Sequence, residues 1–315
     1  MRLGPVFVDV AGLELTPDDI ERLQHPQVGG VILFARNFAA PLQLIQLTHS
    51  IRELRSPALL IAVDHEGGRV QRFRHGFTAI PPMRELGKLW DRDPAQAIAA
   101  ARGCGFVIGS ELQAHGVDMS FAPVLDVDYG ESSVIGDRAL HNDPHTIAVL
   151  AEALQAGLSA SGMTSVGKHF PGHGFVAADS HTEMPVDSRN LPQIVAADLV
   201  PFGALIACGI EAIMPAHVVY PAVDEAPAGY SRKWLRDILR DRLRFDGLVF
   251  SDDLGMAGAE GAGDIVARAD ASLAAGCDMV LACNDFAAID TLLANWRPAG
   301  NRELARRAAA MERKK

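Results

Sequence analysis

The segment KHFPGHGFVAADSHTEMP, residues 168–185, concentrates side chains that can do chemistry. It contains three histidines, a lysine, an aspartate and a glutamate, and it shows neither a helical nor a strand period. Such a segment can hold a metal ion, cradle a phosphate or form an active-site loop. Pro171 and Gly172 interrupt the helix that a zinc-binding spacing of His169 and His173 requires, and no phosphate-loop pattern follows. We therefore favour an active-site loop.

Asp179 and His181 form the most suggestive pair in this segment. Residues two apart in an extended chain project to the same side, so the carboxylate can hydrogen-bond one imidazole nitrogen. That bond fixes the tautomer and raises the histidine pKa, which leaves the other nitrogen to donate or accept a proton. A surface ion pair is the alternative in an ordinary loop. The glycine-flanked context favours general acid–base catalysis.

Short apolar runs that alternate with helical patterns must position these groups. Continuous hydrophobicity predicts eight strands buried on both faces. They lie at 7–10, 29–34, 58–64, 119–127, 164–170, 212–218, 247–253 and 279–283. Helical patterns lie at 16–24, 41–54, 94–116, 145–162, 191–209, 231–243 and 264–277. The order predicts an α/β fold, a single (β/α)8 TIM barrel forming one catalytic domain over 1–315. A doubly wound sheet is less favoured, because no glycine-rich phosphate turn follows the first strand.

Charged residues follow five of the predicted strands, at the barrel end where chemistry is expected. They are Asp64, Glu66, Arg69 and Arg72, then Asp126, Asp128 and Arg138, then the 168–185 segment, then His217, and finally Asp252 and Asp253. Each has a structural alternative. The aspartates can cap a helix, the arginines can form ion pairs, and His217 is better explained as a core or supporting residue. Two adjacent carboxylates at a buried strand end are harder to explain structurally, because unpaired buried charge is costly.

Composition limits the partners. The net charge is −10 and no dense basic run precedes the last residues, so nucleic acid and an anionic membrane are not expected partners. Four scattered cysteines fit a reduced compartment. We see no signal-peptide pattern and no apolar stretch of roughly 20 residues. We expect a cytoplasmic protein, a monomer or weak homodimer, with a small-molecule partner and with neither cofactor nor metal.

The motifs VDHEGGRVQRF, IGDRAL, KHFPGHG with DSH, and SDDLGM together resemble glycoside hydrolase family 3 β-N-acetylglucosaminidases, in particular the bacterial single-domain members of cell-wall recycling. The resemblance implies that Asp252 is the nucleophile of a retaining hydrolysis and that His181, with Asp179, is the acid/base. It also implies sugar contacts from five residues, which are Asp64, Arg72, Arg138, Lys168 and His169. His65 stands where this family commonly has glutamine.

The implied substrate is a peptidoglycan fragment, a muropeptide with terminal N-acetylglucosamine on an anhydro-muramyl residue. Alternatives on the same fold are a family 3 β-glucosidase and an N-acetylglucosaminide phosphorylase. A substrate-assisted hexosaminidase is disfavoured, because the strand-seven pair is Asp–Asp. A non-catalytic sugar sensor and a metal-dependent hydrolase are the remaining options.

Overall fold

Eight parallel strands close into a barrel in the computed structural model, which describes residues 3–177, 184–298 and 300–311, with only the backbone of Glu260. The strands are β1 (Val6–Val8), β2 (Val28–Leu33), β3 (Leu60–Val63), β4 (Met119–Ser120), β5 (Thr164–Phe170), β6 (Ala212–Pro215), β7 (Leu248–Asp253) and β8 (Met279–Leu281). Each pairs with its successor, and β8 pairs with β1 through Val6 and Val280. The predicted (β/α)8 barrel is therefore confirmed.

Helices surround the barrel. They are α1 (Pro17–Gln24), α2 (Pro41–Glu53), α3 (Arg84–Trp90), α4 (Pro94–Ala114), α5 (Pro144–Ala160), α6 (Leu191–Ala196), α7 (Leu199–Ala207), α8 (Lys233–Arg242, wound as a π-helix), α9 (Ile265–Ala275), α10 (Phe286–Asn295) and α11 (Leu304–Ala309). Four begin with proline at the first helical position, and the side chains of Thr16, Asp93 and Asp143 cap three of these. Such starts satisfy backbone N–H groups that lack a helical partner. Within the described ranges, no helix has the length and apolar character needed to cross a membrane.

One predicted helix, 191–209, is wrong in detail, because the chain forms α6 and α7 with a break at Ala197. Ala197 leaves the helical region at φ −127° and ψ −74°. Pro201 lies four residues later, where its ring would clash with the carbonyl group of Ala197 in a continuous helix. The break allows the Asp198 carboxylate to point into the protein, where it pairs with Arg189.

The barrel interior is filled by large side chains from alternating positions of the strands. Phe250 of β7 packs edge-to-face against Phe7 and Phe121, at 5.2 and 5.3 Å between ring centroids. Gly30 of β2 faces the Phe7 ring, and an added Cβ there would overlap it. This packing makes the barrel a solid core and not a channel.

Two short hairpins extend the carboxyl rim and were not predicted. His65–Gly67 pairs with Val70–Gln71 directly after β3, and Val219–Tyr220 pairs with Asp224–Pro227 after β6. The first hairpin lies between β3 and α3. Its two strands carry the residues that follow β3 over the barrel mouth.

Candidate active site

A cavity of about 450 Å³ opens at the carboxyl ends of the strands. Its floor is apolar, with Phe121, Met214 and Leu281, and its walls are charged. The charged and polar side chains at the walls are Asp64, Glu66, Arg69, Arg72, Ser133, Arg138, Lys168, His169, His173, Asp252, Asp253 and Asn284. Residues from seven separate chain regions thus meet around one small space, as the chemistry of a barrel requires.

One wall is a series of alternating charges, which we call the charge ladder: Arg138, Glu66, Lys168, Asp64 and Arg72. Arg138 donates from Nε and Nη2 to the two oxygens of Glu66, both at 2.8 Å. Lys168 Nζ lies 2.7 Å from Glu66 Oε1 and 2.7 Å from Asp64 Oδ1. Arg72 Nη2 completes the ladder, 3.5 Å from Asp64 Oδ2. The arrangement places donors and one acceptor group side by side for a polyhydroxylated ligand.

Neighbouring charges keep two buried members of the ladder, Glu66 and Lys168, ionised. Burial opposes the charge on Glu66, but Arg138 and Lys168 hold the pKa of that carboxyl well below its usual range. Burial likewise disfavours the ammonium group of Lys168, yet Asp64 and Glu66 raise its pKa above the ordinary value. Opposite charges at short range outweigh desolvation at both sites. Glu66 and Lys168 therefore carry fixed charges at the cavity wall across the neutral pH range.

Asp126 organises the adjacent corner. It is fully buried after β4, and its Oδ2 lies 2.7 Å from His169 Nδ1. Its Oδ1 accepts hydrogen bonds from the backbone N–H groups of His169 and His173, at 3.3 and 2.7 Å. With Nδ1 committed to a carboxylate, His169 is left with Nε2 for the cavity. One buried carboxylate thus fixes both the ring orientation of His169 and the turn that follows β5.

The two carboxylates at the end of β7, Asp252 and Asp253, lie in different environments. Asp253 Oδ1 accepts from the backbone N–H groups of Gly255 and Cys283, at 3.0 and 3.2 Å. Burial, reinforced by the charge of Asp252, raises the pKa of Asp253 to about 7. Asp252 Oδ1 accepts from the Asp253 N–H at 2.8 Å, and its half-buried side chain lines the cavity. Asp253 is tied to the backbone of the rim, whereas Asp252 is the carboxylate for which the family resemblance predicts the role of nucleophile.

The structure brings together six of the predicted site residues. Asp252 and all five predicted sugar-contacting residues line the same cavity. Asp179 and His181 lie outside the described residues. His217 is fully buried with its Nε2 3.2 Å from the Asp253 carbonyl oxygen, and it belongs to the core beneath the rim. His65 also faces away from the cavity, because its ring packs against Phe73 and Phe77.

Sequence reasoning noted Glu66 and Asp126 but gave them no role. The sequence analysis also missed a cluster of residues beside the cavity, which we call the Arg189 clasp. Arg189 pairs with the buried carboxylates of Asp187 and Asp198, at 2.7 and 2.8 Å, and its guanidinium lies over the rings of Phe175 and Tyr129. The clasp joins the chain on either side of 178–183. Residues 187–198 contain three charged side chains in twelve positions, close to the average for the chain, so composition did not signal the clasp.

A closed barrel with carboxylates at the end of its seventh strand and a charged wall in the same cavity is typical of a barrel enzyme that acts on a polar ligand. Residues 8–305 match the glycosyl hydrolase family 3 N-terminal domain. The chain therefore belongs to glycosyl hydrolase family 3, and it is a glycoside hydrolase of the β-N-acetylhexosaminidase type.

Individual relatives agree with this assignment. The beta-hexosaminidase of Methylobacillus flagellatus is 61% identical over 94% of this chain and 84% of its own length. NagZ from Neisseria gonorrhoeae, solved in complex with N-trifluoroacetyl-D-glucosamine, is 50% identical with a TM-score of 0.95, covering 99% of this chain and 91% of that one. A second structure of the Neisseria enzyme, in complex with zinc ion, covers the same shares at 49% identity and a TM-score of 0.94. The family resemblance of the motifs is confirmed.

Proposed function

We propose that the chain is an exo-acting β-N-acetylglucosaminidase that removes one terminal N-acetylglucosamine by a retaining double displacement. The observation that carries the proposal is that Asp252 and the charge ladder line the same cavity. A nucleophile on one side and hydroxyl-binding groups on the other are what a glycosidase needs to hold one sugar ring over a carboxylate. The small volume suits a terminal sugar better than a long polysaccharide.

Asp252 attacks the anomeric carbon and forms a glycosyl-enzyme ester, and water then releases the sugar with retained configuration. The family resemblance assigns proton transfer to His181, supported by Asp179. In the first step His181 protonates the leaving oxygen, and in the second it removes a proton from the attacking water. A strand end is a rigid place for the nucleophile, which keeps the carboxylate oriented between the two steps.

The sugar contacts follow from the donors and acceptors on the wall. Asp64 accepts from sugar hydroxyls, and Arg72, Arg138 and Lys168 donate to them. His169 contributes Nε2, because Asp126 occupies its Nδ1. Charged donors in a partly buried cavity make strong hydrogen bonds to hydroxyls, so the wall supplies both affinity and orientation.

The substrate we propose is a muropeptide, N-acetylglucosamine linked to 1,6-anhydro-N-acetylmuramic acid, in the cytoplasm as part of peptidoglycan recycling. Motif resemblance to the recycling members supports this, and so does the amino-sugar derivative bound by the Neisseria relative. We further propose that residues 1–315 act as one catalytic domain, as a monomer or weak homodimer, without a cofactor or metal.

The test compares nitrophenyl N-acetyl-β-glucosaminide with the β-glucoside, using wild type, Asp252→Ala and the control Asp290→Asn. Asp290 is exposed and pairs with Arg22 away from the cavity. We expect cleavage of the first substrate only, a loss of at least about 10⁴-fold in Asp252→Ala, and no loss in the control. Azide should rescue the alanine variant and give the α-glycosyl azide, because it attacks from the vacated nucleophile side.

Other outcomes separate the alternatives. Preferred cleavage of the glucoside would move the chain to the β-glucosidases of the family. Formation of the sugar phosphate in phosphate buffer would identify a phosphorylase. Loss of activity after dialysis against a chelator, with recovery on adding zinc, would contradict a metal-free mechanism. Full activity of Asp252→Ala would remove the proposed nucleophile.

A further inference from the structure

Glu66 is the most enclosed carboxylate of the charge ladder, with 3% of its side chain exposed. Both of its oxygens are occupied by protein donors: Oε2 by Arg138 Nε, and Oε1 by Arg138 Nη2 and Lys168 Nζ. A carboxylate bonded in this way has little capacity left for a ligand. Its role must therefore be exerted through the two cations it joins.

We propose that Glu66 is a positioning residue that holds Arg138 and Lys168 side by side so that both donate to the same terminal sugar. The proposal rests on the proposed function, since it concerns the groups assigned there to sugar binding. Arg138 and Lys168 both donate to Oε1 of Glu66, at 2.8 and 2.7 Å. Two like charges this close would separate without the anion between them.

The remaining hydrogen-bonding capacity supports this role. The ammonium group of Lys168 has three donors, and the protein contacts of the described residues use one for Asp64 and one for Glu66. Arg138 uses Nε and one N–H of Nη2 for Glu66, and Nη1 lies 3.2 Å from the Val134 carbonyl oxygen. Since both cations line the cavity, their remaining donors are available to a bound ligand.

A purely structural role makes a different prediction. Lys168 faces Asp64 at the end of β3, Glu66 on the hairpin and Arg138 on the loop after β4. Asp64 and Glu66 favour its charged form, whereas burial and Arg138 oppose it. Removing the charge of Glu66 must therefore make Lys168 lose its proton at lower pH. A change confined to folding stability would not move the pH dependence of catalysis.

The experiment measures kcat, KM and the pH profile of kcat/KM on nitrophenyl N-acetyl-β-glucosaminide for Glu66→Gln, Glu66→Asp and Lys168→Met. Glu303→Gln is the matched control, because it removes an exposed pair with Arg306 outside the cavity. For Glu66→Gln we expect kcat/KM to fall about 100-fold, with the alkaline limb moved to lower pH. Glu66→Asp keeps the charge, so its alkaline limb should stay in place and its loss should be smaller.

The double variant Glu66→Gln with Lys168→Met decides whether Glu66 acts through Lys168. Its loss should be much smaller than the product of the two single losses, because both changes disable the same contact. Multiplicative losses would overturn the proposal, as would a Glu66→Gln enzyme within threefold of wild type. If Glu66→Gln does not fold, Glu66→Asp with wild-type kcat/KM overturns it. Unchanged kinetics in Lys168→Met would instead contradict the proposed sugar contact, whatever Glu66 does.

Discussion

Arg138 is the cation of the charge ladder whose shape matters most. Its planar guanidinium presents Nε and Nη2 to the two oxygens of one carboxylate, which a single ammonium group cannot reproduce. We expect Arg138→Lys to lower kcat/KM by about 10- to 100-fold although the charge is kept, because the fork is lost. Steady-state kinetics on the nitrophenyl N-acetyl-β-glucosaminide measure the effect.

The control for Arg138 is Arg306→Lys, which alters an exposed pair with Asp246 outside the cavity. It should leave kcat/KM unchanged, since exposed ion pairs contribute little. An Arg138→Lys enzyme with wild-type kinetics would show that charge alone suffices at this position. The predicted sugar contact would then not depend on guanidinium geometry.

At the residue scale, the sequence predicts which side chains belong to the site better than it predicts which residues contact them. Asp252, Asp64 and Lys168 were identifiable as charged residues at the carboxyl ends of apolar strands, where a charge needs a reason, and the family resemblance supplied their expected roles. The roles of Glu66 and Asp126 were not, because their partners lie far away in the chain. Arg138 is 72 residues from Glu66, and His169 is 43 residues from Asp126. Only the closed barrel brings such pairs into contact.

At the scale of elements, the Arg189 clasp is the feature that secures the rim beside the cavity. Arg189 has 10% of its side chain exposed, and both of its carboxylate partners are fully buried. We expect Arg189→Ala to lower the free energy of unfolding by about 3–5 kcal/mol, because it leaves Asp187 and Asp198 buried without their cation. Urea unfolding followed by circular dichroism measures this change.

Lys88→Ala is the matched control, since Lys88 pairs with Glu85 where both side chains are about half exposed. Its effect should stay within about 1 kcal/mol. Equal stability losses in the two variants would mean that the clasp is no more important than a surface ion pair.

Elements with a strong pattern were predictable, and those without one were not. All eight barrel strands were located, because strands covered on both faces must be continuously apolar. The hairpins at 65–71 and 219–227 were not predicted, because their strands are two to four residues long and mixed in polarity. The break between α6 and α7 was missed although Pro201 signalled it, because the apolar period continues across Ala197.

At the scale of the whole molecule, the burial of neutral histidines makes the free energy of unfolding depend on pH. His65 is 1% exposed, and burial lowers its pKa from 6.5 to about 4. Burial also lowers the pKa values of His173 and His217. Between pH 6.5 and 4 the unfolded chain takes up protons that the folded chain refuses. Stability must therefore fall as the pH decreases through this window.

His65→Gln tests directly whether stability falls as the pH decreases. His65 packs against Phe73 and Phe77 and does not line the cavity, so the change should leave the site intact. The wild type should lose roughly 3 kcal/mol more than the variant between pH 7 and pH 4, from about 1.4 kcal/mol for each unit of pKa shift. Urea unfolding at half-unit pH intervals gives both curves, and His49→Gln, an exposed histidine beside Glu53, serves as the control. The His49 curve should follow the wild type. Parallel curves for wild type and His65→Gln would mean that His65 is protonated in the folded protein, and the acid sensitivity would have to arise at other groups.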